Sequence, residues 1–490
     1  MTLIVTTKSG PVQGVVKDDV LLFSGIPYAA APTGALRFQA ARPHAGWEEV
    51  RSASRFGKAA PQLATGGMTS AVPVPWSEDC LFLNIATPAA DDKKRPVFFW
   101  IHGGGYRTGQ GAVPWYNGAQ FANQGDIVTV SINYRMGALG FTDLSRFGPE
   151  YATSGANGIL DQIMALEWVR DNIAAFGGDP QQVTIGGESA GAFAVCTLLA
   201  SPRAQGLFQR AIPQSGGAQH TLTKDAGSIV ADALLAELQA SDMADLQAAS
   251  VDDILAAQAQ IDLDMRAGLS SRLGSVAPFY PVEGSDVLPV SPLLAISRGM
   301  GADVAVLTGT NKDEATLFVL SKVDADKLAK EAANYGGGQA LIDCYKGLYP
   351  QASTTELSIA LSTDFSFRIP ALRLAEARAA APVETKAATW MYQFNWESRN
   401  GRLKATHALE IPFVFNNLGK PGVDVFLGPG ESPQTLADSM HSAWTKFIRT
   451  GDPDWPAYDL QDRSTMMFDT ESAVVFDPDE GRRGVWEGIR

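Results

Sequence analysis

What most constrains this chain is a series of short apolar runs that do not alternate with polar residues. VFFWIH (97–102), IVTVSINY (127–134), VTIGG (183–187), RAIPQSG (210–216) and VAVLTG (304–309) are rich in β-branched residues, and their length suits strands better than helices. A strand with one wet face alternates apolar and polar side chains, whereas one buried on both faces reads as a continuous apolar run. Burial on both faces belongs to parallel sheets, whose crossover helices cover both sides. Helical periodicity duly appears at 158–175, where Ile159, Ile163, Leu166, Val169 and Ile173 share a stripe, and at 433–449, where Leu436, Met440, Trp444 and Phe447 do. The expected fold class is therefore α/β, with a large, mostly parallel central sheet flanked by helices. The alanine-, leucine- and aspartate-rich stretch at about 219–275 reads as several small helices inserted over the sheet's edge. No internal repeat or long linker divides the chain, so a single domain over 1–490 is expected.

Composition removes several function classes. A net charge of −14 leaves no basic face to displace counterions from phosphates, so no nucleic acid is expected as a partner. No run approaches the roughly 18 apolar residues that span a bilayer, and MTLIVTTKSGPVQGVV has no basic segment ahead of an apolar core, so neither a membrane partner nor a secretory signal is expected. Cys80, Cys196 and Cys344 are an odd, widely spaced set with no CxxC, which suits a reducing cytoplasm. A monomer without metal or organic cofactor is the expected state.

One stretch carries chemistry. VTIGGESAGAF (183–193) holds G-x-S-x-G at Gly187–Gly191, a pattern that glycine-rich chains also reach by chance. Context strengthens it: a buried strand precedes Ser189, and a good helix former, Ala190 to Ala200, follows. That strand–turn–helix arrangement is what lifts a nucleophile above a sheet. A serine hydroxyl needs a base, and in this type of fold the base follows the serine and the acid in the chain. Among the five histidines that leaves His407, on a loop past the strand-like TWMYQFNW (389–396), ahead of His441, which lies within the helical 433–449 segment. The acid should follow a strand between serine and histidine, where VAVLTGTNKDEATLF offers both Asp313 and Glu314; spacing does not choose between them. HGGGY (102–106), directly after VFFWI, has the form that supplies backbone amides to an oxyanion.

Taken together, GIPYAAAPTGALRF (25–38), SEDCLFLNI (77–85), FFWIHGGGYRTG (98–109), INYRMGALGF (132–141), NGILDQIMALEWVRDNIAAFGGDP (157–180), VTIGGESAGAF, GTNKDEAT (309–316) and HALEIPFVF (407–415) resemble type-B carboxylesterases, the carboxylesterase and cholinesterase branch of the α/β-hydrolase fold. The likeness runs end to end and in order, and is nearest to the bacterial para-nitrobenzyl-esterase group, which also includes enzymes that cleave phenyl carbamates. The resemblance implies a triad of Ser189, Glu314 and His407, and oxyanion donors at Gly104, Gly105 and Ala190. It implies supporting roles around the triad for Glu188, Ser215 and Glu410, and structural ion pairs of Arg37 with Glu78 and Arg135 with Asp161. Where secreted relatives pair the cysteine of SEDC, this chain has Ala60 at the matching position, so Cys80 is expected unpaired. QLATGGMTSAVPVPW has no clear match to a choline-binding tryptophan, which argues against choline esters.

The function expected is hydrolysis of small to medium, aryl or hydrophobic carboxylic esters through an acyl-enzyme, with a small-molecule ester as partner. A hydrolase of carbamates or amides is the alternative, since the same triad serves both. A non-catalytic binding module is the other alternative, disfavoured because serine, glutamate and histidine are all present. Tyr106, Trp115, Phe279 and Phe365 are candidates for an aromatic pocket wall, with core packing the competing reading for each.

Overall fold

The structure, a computed structural model, describes residues 3–17, 19–63, 75–264 and 277–490. Its strands in chain order are β1 (Ile4–Thr7), β2 (Gly10–Gln13), β3 (Val15–Lys17), β4 (Val20–Pro27), β5 (Arg51–Ser52), β6 (Phe82–Thr87) and β7 (Arg95–Ile101). They continue with β8 (Val128–Ile132), β9 (Gly178–Glu188), β10 (Arg210–Gln214), β11 (Ala305–Asn311), β12 (Thr389–Phe394), β13 (Thr465–Phe468) and β14 (Ala473–Val475). Among the described residues β1, β2 and β5 form a small sheet, and the rest an 11-stranded sheet ordered β14-β13-β12-β11-β10-β9-β7-β8-β6-β4-β3. Strands β8, β7, β9, β10, β11, β12 and β13 run parallel, while β3, β4 and β6 at one side and β14 at the other are antiparallel.

The apolar runs are buried on both faces, as their composition requires. Along β7, Val97, Phe99 and Ile101 enter one core layer and Phe98 and Trp100 the other, because successive side chains leave a strand on opposite sides. The helices Asn157–Asn172 and Ala190–Ala200 cover the first face. The helix Gln434–Thr450 covers the second, with Leu436, Met440, Trp444 and Phe447 as its buried stripe. A third apolar cluster lies among the helices Ala325–Asn334, Gly338–Leu348, Thr354–Thr363 and Ile369–Ala380.

The insertion is helical where it is described, as Lys224–Glu237, Met243–Ala248 and Val251–Asp264; residues 265–275 lie outside the described residues. Gln258 and Asp262 of its last helix line the main cavity, so the insertion walls that cavity as well as flanking the sheet. RAIPQSG is strand only to Gln214, because Ser215 turns out of the sheet at φ 54. What matters for function is where the parallel strands stop. The carboxyl ends of β7, β9, β10, β11 and β12 face one rim, and ligands of open parallel sheets bind there.

Candidate active site

Strand β9 ends at Glu188 and the helix Ala190–Ala200 begins two residues later, so Ser189 alone makes the turn. Its backbone, φ 56 and ψ −123, is a conformation that L-residues rarely hold, and it costs of order 1–3 kcal/mol. The surroundings over-determine it: Ser189 N–H donates to Gln214 O at 3.0 Å, and Ser189 O accepts from Phe193 N–H at 3.0 Å. A Cβ on Gly191 would overlap the Ile101 carbonyl oxygen, so the second glycine of the motif is required by the contact between helix and β7. The turn leaves Ser189 lining the cavity, and its Oγ has no hydrogen-bond partner among the described residues.

The loop after β7 passes against this turn; a Cβ on Gly103 would lie 3.1 Å from Ser189 Cβ. Gly104 sits at φ +109 with the Thr108 carbonyl where a Cβ would be, a position only glycine fits. Tyr134 Oη donates to His102 O at 2.8 Å, and Gln62 brackets Gly109, accepting from its N–H and donating to its carbonyl, both at 2.9 Å. With both ends held, the N–H groups of Gly104, Gly105 and Ala190 take no acceptor among the described residues. Unfilled amides beside a strained serine are the arrangement an oxyanion needs.

Glu314 and His407 meet beside them. Glu314, wholly buried, accepts from Asn311 N–H on Oε1 at 2.8 Å, and its Oε2 lies 2.6 Å from His407 Nδ1. The backbones join too, His407 N–H donating to Glu314 O at 3.3 Å. Asp313 turns away, its Oδ2 accepting from Ala405 N–H at 3.4 Å, so of the two carboxylates that spacing left open it is Glu314 that reaches the imidazole. Nε2 of His407 lies 3.0 Å from Glu188 Oε1, which makes no aligned hydrogen bond. Burial alone would push the imidazolium pKa down, but the facing Glu188 and Glu314 carboxylates outweigh it and hold it up at about 9. Burial likewise pushes Glu188 well above the usual carboxylate range, with His407 pulling it back.

Behind this row, Glu410 accepts from Gln214 Nε2 at 3.1 Å and from Asn311 Nδ2 at 2.6 Å, and burial with the Glu314 charge raises it to about 7. Gln214 in turn accepts from Trp444 Nε1 at 3.0 Å, tying the network to the covering helix. Ser215 N–H donates to Gly309 O, while its buried Oγ has no partner among the described residues. The two ion pairs are present: Arg37 Nε to Glu78 and Arg135 Nη2 to Asp161, each at 2.7 Å. Cys80, Cys196 and Cys344 carry free thiols.

These groups open on a cavity of about 920 Å³. Of the four aromatic residues proposed for its wall, Phe365 lines it, and the other three need correcting because they are core. Tyr106, at φ 58, turns its ring inward onto Phe141; Trp115 donates to Pro421 O and packs on Phe426; Phe279, also at φ 58, is wholly buried. Phe193, His220, Tyr280, Phe318, Phe367 and Arg490 line the cavity instead. Phe193, one helical turn after Ser189, was findable from the i to i+4 spacing; the others carry no local signal. His441 lies apart, on Val414 O and the Phe121 ring. His102 stacks on Tyr134, and burial lowers it to about 4. Among the described residues no group of three or more His, Cys, Asp or Glu side chains is placed to hold a metal ion, and no helix is long and apolar enough to cross a membrane.

A mostly parallel sheet with a serine on the turn after its central strand, a carboxylate and a histidine from later strands, and a glycine loop beside them define an α/β hydrolase. Within that class the chain belongs to the carboxylesterase family, whose profile matches residues 1–481, and it is an ester-hydrolysing enzyme. It is 37% identical to the para-nitrobenzyl esterase of Bacillus subtilis, covering 98% of this chain and 97% of that one. It is 36% identical to the phenmedipham hydrolase of Pseudarthrobacter oxydans over 96% of this chain and 95% of that one. The solved structure of a thermophilic PNB esterase superposes with a TM-score of 0.88 at 36% identity, covering 99% and 100% of the two chains.

Proposed function

We propose that this enzyme hydrolyses small to medium aryl or hydrophobic esters through an acyl-enzyme on Ser189. Ser189 Oγ attacks the ester carbonyl while His407 Nε2 takes its proton, and Glu314 on Nδ1 fixes the tautomer and balances the imidazolium. The amides of Gly104, Gly105 and Ala190 receive the oxyanion, each contributing about 3 kcal/mol in the transition state. The tetrahedral intermediate collapses with loss of the alcohol, which takes the proton from His407. Water, deprotonated by the same imidazole, then releases the acid and restores Ser189. Glu188, Ser215 and Glu410 act as positioning residues around the imidazole. The free thiols support a reducing, cytoplasmic setting for this chemistry.

The observation that carries the reading is the strained Ser189 turn, opening on the same cavity as an imidazole already held by a buried carboxylate. Ser189→Ala should reduce turnover of a para-nitrophenyl ester to about a millionth of wild type, and substantial turnover by that variant would sink the proposal. Hydrolysis of phenyl carbamates, which the same groups can perform, is ranked against it by screening aryl esters and phenyl carbamates with the wild-type enzyme.

A further inference from the structure

Two arginines among the described residues line the cavity, and they are partnered differently. Arg107 Nη1 meets Asp262 Oδ1 at 2.5 Å. Among the described residues no aspartate or glutamate side chain lies within ion-pair reach of Arg490, its own main-chain carboxyl oxygen being held by Arg373 Nε at 2.9 Å, and the stretches 64–74 and 265–276 contain no aspartate or glutamate that could supply one. Arg490 Nε donates to Phe365 O at 3.1 Å, its guanidinium carbon lies 4.6 Å from the centroid of the Phe365 ring, and Nη2 is 3.4 Å from His220 Nε2. Its remaining donors take no acceptor among the described residues.

The buried arginines are partnered differently. Arg135 and Arg368, which are buried, face Asp161 and Asp364. Arg378 lacks a carboxylate, but three carbonyls, those of Gly301, Val304 and Ala387, and the Thr389 hydroxyl surround it. A half-buried guanidinium lining the cavity with one carbonyl and a ring nitrogen is under-used by its own chain. Nor does His220 add charge, since burial and the nearby Arg490 pull it down to about 3. The His220 ring stacks on Phe193 at 3.6 Å between centroids, and Phe193 stands one helical turn from Ser189. The cation thus sits two side chains from the reacting serine, on the same cavity. Asp262, the carboxylate that lines the cavity away from His407, is already paired with Arg107 and does not repel an anion.

We propose that Arg490, seated on Phe365 beside His220, is an anion subsite, and that the esters taken best carry a carboxylate remote from the scissile carbonyl, as half-esters of dicarboxylic acids do. A planar guanidinium with free Nη donors accepts a carboxylate in a two-point pair. The proposal rests on the acyl-enzyme reading above, and the test separates the two. Wild type, Arg490→Ala and Arg490→Lys are assayed on charge-matched probes: mono-4-nitrophenyl adipate against 4-nitrophenyl hexanoate for an anion on the acyl side, and 4-acetoxybenzoate against its methyl ester for one on the alcohol side. For at least one anionic probe, Arg490→Ala should lower kcat/KM about tenfold or more, chiefly through KM, with Arg490→Lys recovering part of it. The neutral probes should change by less than about threefold. Equal loss on neutral and anionic probes makes Arg490 a packing residue and overturns the subsite, as does unchanged cleavage of both anionic probes. A wild type inactive on all four esters would instead overturn the esterase reading itself.

Discussion

In the proposed mechanism Ser189, His407 and Glu314 do not act in isolation; at the scale of residues the controlling neighbour is Glu188. Its carboxylate faces Nε2 at 3.0 Å, on the edge of the ring proposed to accept the serine proton. The two groups titrate together as a pair, Glu188 raised by burial to about 8 and His407 held above the ordinary 6.5, at about 9, because an ionised carboxylate at Nε2 favours imidazolium. The direction follows: below that value the ring already holds a proton and cannot serve as base, so kcat/KM should climb as pH rises from neutrality. Glu188→Gln removes the charge while keeping the shape. The inflection should then move down by about one pH unit or more, leaving a larger fraction of the enzyme competent at pH 7. An inflection unmoved in this variant would mean that Glu188 does not set the basicity of His407.

Elements carry these residues through their ends, and one buried pair anchors two of them. Asp161, on the helix Asn157–Asn172, receives both Nε and Nη2 of Arg135 as well as the Arg135 backbone N–H, while Arg135 Nη1 donates to Gln39 O. The pair locks the segment after β8 onto the helix that covers the first face of the sheet. Asp161→Asn leaves a buried guanidinium without its counter-charge, which should cost about 3–5 kcal/mol, read as a fall in the urea midpoint at unchanged slope. A loss under about 1 kcal/mol would show that water reaches Arg135 and replaces the carboxylate. Such elements were legible in the chain because physics restricts the residue types: β7, β9 and β11 must be apolar on both faces, and Gly191 must lack a Cβ against Ile101 O. Of the proposed triad, Ser189 and His407 were legible from chain order, whereas the choice of Glu314 over Asp313 came only from the family resemblance. The cavity wall was not legible. Apart from Phe193 and Phe365, its residues His220, Tyr280 and Arg490 come from distant segments with no shared period, and Tyr106, adjacent in sequence to the glycine loop, is turned into the core by a single positive φ. Side-chain direction at an irregular turn depends on one dihedral, and no pattern of residue types encodes it.

At the scale of the whole molecule, the proposed triad and the proposed anion subsite rest on different apolar clusters. The sheet has two apolar layers that hold Ser189, Glu314 and His407, whereas Phe365 belongs to the third cluster, among helices between 325 and 380. Trp486 plugs that cluster: it is wholly buried, its Nε1 donates to Tyr345 Oη at 2.8 Å, and Tyr345 Oη donates to Asp364, next to Phe365. Arg368, paired with Asp364, donates to the carbonyls of Asn311 and Lys312 just ahead of Glu314, so the cluster also props the loop that bears the acid. Trp486→Ala should cost about 3–5 kcal/mol, but the loss falls on this cluster and spares the sheet. The two cores can then be told apart by titration with urea. Trp100, Trp115, Trp390, Trp396, Trp444 and Trp455 all lie in the second layer, so tryptophan fluorescence reports on the sheet, while ester hydrolysis reports on the propped cavity. In wild type the two transitions should nearly coincide; in Trp486→Ala activity should vanish at distinctly lower urea than the fluorescence change. If both midpoints drop together in the variant, the third cluster unfolds with the sheet as one cooperative unit, and the separation of recognition from catalysis into different cores is wrong.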